Sequence, residues 1–367
     1  MKHLCFLLLF LPVPALLFSQ QKNSAPAKAP LSAATAAAIQ TAEPKTPAEF
    51  FARARQLSDL IAAGIPFHLK ATYVATGDTE FTGNGTYEEW WESKDLWRKE
   101  ATLGDYKYVL IKNGGKFARY DTSAYIPLRL RQVFQSLPIP FPSLRVASSY
   151  WERQHQKIEK VDLTVLIQEA PPGGNRTTAS ARDPRYDQRY YFDAGGLMRI
   201  RTKDATVTIY NEFQTFQNLA VPRRIEVSAG SAPFLTITVD LLEPLGTDAK
   251  VVSKLMEVPS DLQLIPPQPH VTRGLTNGVT PSRLIHSPHP VYPPVAKQQR
   301  IQGTVVLEAT IDENGAVREP HVVRSAGSLL DTAAIQAVRK WRYLPTTFNG
   351  VPVAVNTTIS VIFSLKQ

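Results

Sequence analysis

Few residues in this chain of 367 are spaced for bond-making chemistry. His286 and His289 stand three apart in "HSPHP", a spacing that on a helix would bring both rings to one side. The prolines exclude that helix, so the pair reads as loop histidines rather than metal ligands. Glu88 and Glu89 in "EEWWE" are paired carboxylates, but successive side chains of a strand leave by opposite faces. "KNGGK" and "AGG" lack the spacing of a phosphate loop and read as turns. No serine sits in a nucleophile-elbow context. Cys5 is the single cysteine, and a mature chain lacking it has no disulfide, thiol nucleophile or cysteine metal site. The expectation is a protein that binds rather than catalyses, with no catalytic residues, no metal and no cofactor.

The formal net charge is +9, but lysine and arginine are scattered, with no basic block and no nucleic-acid module. The charge suits an anionic membrane surface or an acidic partner, not nucleic acid. The first residues, "MKHLCFLLLFLPVPALLFSQQ", carry a short polar head and an apolar run from Leu4 to Phe18. About 15 residues give roughly 22 Å of helix against about 30 Å of hydrocarbon. Pro12 and Pro14 interrupt the run, so residues 1–20 read as a cleaved export signal or a short uncleaved membrane anchor.

Further elements follow from periodicity. Residues 21–46, rich in Ala, Pro, Lys and Ser, read as a flexible linker. "PAEFFARARQLSDLIAAG" then has helical spacing of Phe50, Phe51, Ala54, Leu57, Leu60 and Ile61, stopped by Gly64 and Pro66. From Phe67 to Pro244 short β runs are separated by Gly, Asn and Asp, broken by the helix-and-proline stretch "IPLRLRQVFQSLPIPFPSL" and the loop "APPGGNRTTASARDPRYD". Residues 47–260 are thus expected to form one antiparallel, half-barrel-like sheet with helices. A concave apolar face would be lined by Trp90 or Trp91 (the phase is open), Val109, Ile111, Tyr191, Ile209, Ile237 and Val239. Residues 261–284 read as a Pro-rich linker.

Residues 285–367 read as a small β-β-α-β domain, and the whole chain as α+β. Gly303, Val305, Leu307, Ala309 and Ile311 share one face of the first strand; "ENG" puts Gly315 where a hairpin needs positive φ. Ser328 would cap the helix with Asp331 as its capping-box partner. Trp341 would be buried between helix and sheet, and Pro345 would stop the helix. In the last strand Val353, Val355, Thr357, Ile359, Val361 and Phe363 share a face, leaving Ser360 outward.

Two resemblances add to this. Tyr292-Pro293, Ala296, Arg300, Gly303, Gly315, Leu330-Asp331, Ala333-Ala334, Trp341, Tyr343 and Pro345 together resemble the C-terminal domain of the TonB family. That family couples inner-membrane energy to outer-membrane receptors, which implies a Gram-negative periplasm, transmembrane transport, and a short extended peptide of an outer-membrane or other envelope protein as ligand. Pairing of that peptide with a strand edge would use His289, Tyr292, Pro293, Ile359, Ser360 and Val361. Inner-membrane motor proteins become partners if the N-terminus is retained. His289 stands where the family usually has glutamine, and a globular domain occupies the place of the usual spacer. The run of "EEWWES", "LWRKE", "YVLIKNGGKFARYD", "YYFDAGGLMRI" and "LAVPRRIEV" resembles the LolA/LolB/LppX-like lipoprotein-carrier half-barrel. That likeness implies an acyl lipid or lipoprotein as an alternative partner, with the C-terminal domain used for docking.

Overall fold

The computed structural model describes residues 44–77, 79–123, 125–139, 141, 151–168, 188–203, 206–229, 233–246, 248–258, 279–348 and 350–365. The expected signal or anchor and most of both linkers lie outside these residues. Thr46 caps helix α1 (Pro47–Ser58), its hydroxyl accepting from the Glu49 amide at 3.3 Å while Lys45 N–H donates to the Glu49 carboxylate at 2.7 Å. The helix ends at Ser58 rather than running on to Gly64.

A single sheet of 12 strands follows. Its first run is β1 (Phe67–Ala75), β2 (Gly83–Ser93), β3 (Leu96–Leu103), β4 (Tyr106–Asn113) and β5 (Lys116–Asp121). After α2 (Leu128–Phe134) come β6 (Trp151–Ile158), β7 (Val161–Gln168), β8 (Gln188–Phe192), β9 (Met198–Lys203), β10 (Thr206–Phe216), β11 (Leu219–Ser228) and β12 (Pro233–Pro244). β12 returns to pair antiparallel with β1, so the two runs join in one sheet whose edges are β5 and β6.

One face of this sheet forms the main core. Phe67, Leu69, Tyr73, Tyr87, Trp91, Tyr106, Tyr108, Tyr190, Phe192, Ile237 and Val239 are all buried in it. Two helices close it. Phe50 and Phe51 of α1 meet Phe192 and Tyr190 at ring distances of 5.4 and 4.9 Å. Leu130 and Val133 of α2 are fully buried, and Phe134 meets Tyr87 and Tyr108 at 5.9 and 5.1 Å. The open phase resolves in favour of Trp91; Trp90 faces outward and stacks on His68 at 5.1 Å. Four expected lining residues point the other way. Tyr191 and Ile209 join Leu163, Val165, Ile167 and Ile200 in a separate cluster, and Val109 and Ile111 alternate with the inward Tyr108 and Leu110. Runs such as "YVLI" and "YYF" are apolar on both faces, so composition leaves their phase unset. Helix α3 (Ala249–Leu255) lies against β3 and β4. There the Arg98 guanidinium donates to the Leu255 carbonyl at 3.0 Å and Asn113 to that of Met256 at 3.3 Å.

The C-terminal module starts earlier than the sequence suggests. β13 (Val279–Thr280) and β14 (Arg283–His286) fall where a linker was expected to run to 284. They pair with β18 (Thr346–Phe348) and β17 (Arg342–Leu344), partners some sixty residues away that no local pattern announces. Between them lie α4 (Pro294–Gln298), β15 (Gly303–Ile311), β16 (Val317–Arg324) and α5 (Ser328–Val338); β19 (Val351–Val353) and β20 (Val355–Phe363) end the chain. The expected β-β-α-β core is present as the sheet β16-β15-β20 with α5 packed on it.

Three details depart from expectation. Gly327, not Ser328, caps α5, without a side-chain bond; Asp331 instead accepts from the Ala326 amide at 3.0 Å and from the Ser325 hydroxyl. Pro345 does not stop the helix, which ends at Val338; it separates β17 from β18. Trp341 lies past the helix and is only half-buried. It packs against the cluster that holds Leu330, Ala334 and Val338 of α5, and its indole N–H donates to the Pro288 carbonyl at 3.2 Å, so it fastens the lead-in segment as well. Gly315 behaves as expected, with φ at 76° in the β15–β16 turn, and a Cβ there would fall 1.8 Å from the Tyr343 carbonyl oxygen. Gly303 opens β15 where a Cβ would meet that of Ala326 at 2.8 Å.

The module sits against α2. The Leu128 amide donates to the Glu319 carboxylate. Arg131 donates to Asn356 at 2.8 Å and lies 3.7 Å from Glu308. Arg318 approaches Glu80 at 3.7 Å, and the Tyr125 hydroxyl donates to the same carboxylate. Thr310 and Asp312, on the polar face of β15 and just beyond it, are buried despite their chemistry and are bonded within the module, Thr310 to Asn356 and Asp312 to Arg318. Burial pushes the Glu319 carboxyl up to about 7. Glu80 adds to this, while the Leu128 N–H and the Arg131 and Arg129 guanidinium groups oppose it.

Two predictions follow from these contacts. Gly350 also has positive φ, at 82°, but open space where a Cβ would go. Gly350→Ala should therefore cost about 1–2 kcal/mol, from backbone conformation alone. Gly315→Ala should cost clearly more, since the Tyr343 backbone must also move. Equal costs in denaturant unfolding would remove the close approach from the account. The second concerns Glu319, whose ordinary pKa of 4.5 is raised to about 7 by folding. Between those values the folded chain holds a proton the unfolded chain has lost. Stability from the neutral acid is complete below pH 4.5 and declines as pH rises through 7. The fall should reach about 3 kcal/mol, at about 1.4 kcal/mol per tenfold change in proton affinity. Arg129, Arg131, Glu80, Glu308, Arg318 and His321 surround the group and stay in place in Glu319→Gln. Urea titrations from pH 5 to 8 should show the decline in the wild type and its loss in that variant.

Candidate functional site

The candidate site is the open edge of the small sheet and the segment leading into it. Among the described residues β20 has one strand neighbour, β15, with a register running without shift from Gly303↔Phe363 to Ile311↔Val355. Its other side carries unpaired backbone groups able to accept a further strand. Alternation sets which side chains accompany them. Ile359, Val361 and Phe363 are core residues, at 5%, 3% and 3% exposure. Of the expected contact residues, Ile359 and Val361 turn their side chains into the core, whereas Ser360 is exposed.

The lead-in segment is fixed at both ends. Trp341 holds Pro288, as above. The Tyr292 hydroxyl donates to the Ile301 carbonyl at 2.5 Å, and its ring meets Phe363 edge-on at 5.5 Å. Pro293, at φ −61° and ψ 132°, turns the chain into α4, where Ala296 is fully buried. Tyr292 and Pro293 thus build the platform, and of this trio only His289 is exposed.

Two exposed apolar residues escaped the sequence reading. Ile362 is 70% exposed on the same face of β20 as Ser360, and Val291 is 81% exposed beside Tyr292. The signal was present: Ile362 is an aliphatic residue in the polar phase of an alternating strand. Among the described residues no group of three or more His, Cys, Asp or Glu is placed to hold a metal. No helix among them is long and apolar enough to cross a membrane.

Residues 288–365 match the family described as Gram-negative bacterial TonB protein C-terminal. Over 108 residues the chain is 30% identical to Protein TonB of Vibrio cholerae serotype O1, covering 27% of this chain and 44% of that protein. It is 38% identical over 78 residues to Protein TonB of Xanthomonas campestris pv. campestris, covering 21% and 35%. The chain therefore spans less than half the length of these curated relatives. Among solved structures, a LolA superfamily protein from Nitrosomonas europaea aligns at 11% identity and TM-score 0.36, over 57% of this chain and 98% of that one. Mycobacterium tuberculosis lipoprotein LppX aligns at 12% identity and TM-score 0.24, over 55% and 100%. Likenesses this loose carry no inference about cargo or activity. What the sequence comparisons establish is confined to the C-terminal module: residues 288–365 match the TonB protein C-terminal family.

Proposed function

We propose that this chain is a non-enzymatic protein of the Gram-negative envelope whose C-terminal module captures an extended segment of an outer-membrane or other envelope protein, in support of transmembrane transport. The observation that carries the reading is the free β20 edge inside the segment that matches the TonB family. A guest strand would gain main-chain hydrogen bonds along the edge, and Ser360 and Ile362 would meet its side chains on the outer face. The periplasm is the compartment this reading requires.

A second reading is a carrier of lipid or lipoprotein that uses the module for docking. It is favoured by an apolar sheet face closed by two short helices, and it requires one of them to leave. Acyl burial is worth about 0.8 kcal/mol per methylene, which favours capture once the face is open.

Capture can be measured with immobilised peptides from the periplasmic N-terminal segments of outer-membrane receptors. Ser360→Pro removes one edge amide; Ile362→Lys leaves the backbone whole but places a charge on the edge. Both variants should bind at least tenfold more weakly while melting near the wild type. Ile362→Lys carries the test if the proline variant unfolds. Undiminished binding by a folded variant would exclude edge pairing.

A further inference from the structure

We propose that α2 couples the two domains: the C-terminal module, seated on its outer side, holds it in place over the apolar face of the large sheet, so that unseating the module uncovers that face. The helix has two opposed sets of contacts. Inward, Leu130 and Val133 are fully buried, and Phe134 lies on Tyr87 and Tyr108. Outward, the Leu128 amide is bonded to Glu319, and Arg131 reaches Asn356 and Glu308.

α2 is poorly equipped to hold itself. It has 7 residues, and its N-cap, Pro127, supplies no side-chain bond. Isolated helices shorter than about 12–15 residues are marginal in water. The acceptor for its first-turn amide comes from Glu319, 191 residues further along the chain. Arg131 is mostly buried, and its outward partners Asn356 and Glu308 also belong to the module. Departure of the module therefore strips α2 of its first-turn amide acceptor and strips Arg131 of both partners.

The contact reaches the candidate binding edge directly, because Asn356 lies in β20. A strand added to that edge, or tension along it, acts on the residue that holds Arg131. By reciprocity, whatever displaces α2 from the sheet weakens the seat of the module to the same degree. The coupling is independent of what either surface binds, so it stands or falls apart from the proposed function.

Hydrogen exchange of the full chain, followed by mass spectrometry, tests it without a ligand. In Asn356→Ala, exchange over residues 126–137 should rise at least tenfold. It should rise also over the stretches of β2 and β4 that face Phe134. Helix α1, which closes the same face but touches no module residue among the contacts described above, should not change. 1-Anilinonaphthalene-8-sulfonate should gain fluorescence with the variant and not with the wild type. Glu308→Gln, at a carboxylate whose side chain is 39% exposed, is the milder variant should the first fail to fold, and must shift α2 in the same direction. Faster exchange confined to the module, with α2 unchanged, would overturn the coupling. So would an equal rise in α1 and α2, which marks general destabilisation.

Discussion

An apolar face 12 strands wide cannot be left to water, and most of this architecture answers that constraint. Burying one large side chain contributes about 1.5–3 kcal/mol, while a whole domain is stable by only about 5–15 kcal/mol. Exposing Phe67, Tyr87, Trp91 and Tyr108 together would cancel much of that margin. The cover is supplied by α1 and α2, each too short to be stable alone. α1 comes with a Thr46 cap and an acidic first turn, and spends its aromatic pair on Phe192 and Tyr190. α2 has no such cap, and its polar side becomes the place where the second domain must sit.

That seat is polar, with Arg131 and Glu319 largely buried and Glu80, Glu308 and Arg318 partly exposed, a combination that adds little net stability but is strict about geometry. Asp312 illustrates the division of labour. One of its carboxylate oxygens takes the Asn314 and Ala316 amides to shape the β15–β16 turn, and the other takes Arg318 at 2.8 Å. Arg318 in turn faces Glu80 in the loop after β1. One carboxylate thus orders a hairpin and, through its arginine, orients that hairpin toward the other domain. Glu319 next to it is held at positive φ, 45°, with its carboxylate directed at the start of α2. Both residues would look like ordinary solvated hairpin polar groups in isolation.

The strands and the small C-terminal core were legible because period-2 alternation and a glycine turn are local signals. β15 and β20 followed their expected inward faces through Val305, Leu307, Ala309, Ile359, Val361 and Phe363. Phase in the large sheet was less legible, since Tyr191 and Ile209 pack on a second apolar cluster and Ile111 is buried away from the main core. Trp341 was legible in part: it packs on the helix–sheet cluster as an anchor would, but its indole N–H needed an acceptor and found one 53 residues back. β13 and β14 were hidden among prolines and exist only through their distant partners. The α2 seat left the faintest trace: Arg129 and Arg131, two apart on a helix, diverge. Arg129 lies 3.9 Å over the Phe234 ring and Arg131 turns to the module. Of the candidate site, the edge strand could be read directly. Ile362 was marked by its place in the polar phase of that strand, whereas Val291 could be seen only once exposure was known.

The antiparallel pairing of β20 with β15 also fixes how the module bears load. The register is continuous over nine pairs, from Gly303↔Phe363 to Ile311↔Val355. A pull along the axis of β20 shears every rung of that ladder at once, so all must yield together. A pull across it peels the rungs in turn, and each has only its own strength. Tyr292, with its ring on Phe363 and its hydroxyl on Ile301, pins the end of the ladder where peeling from the C-terminus would begin. The ladder is therefore stiffest in shear along β20, and the corner most open to peeling is the one that Tyr292 fastens.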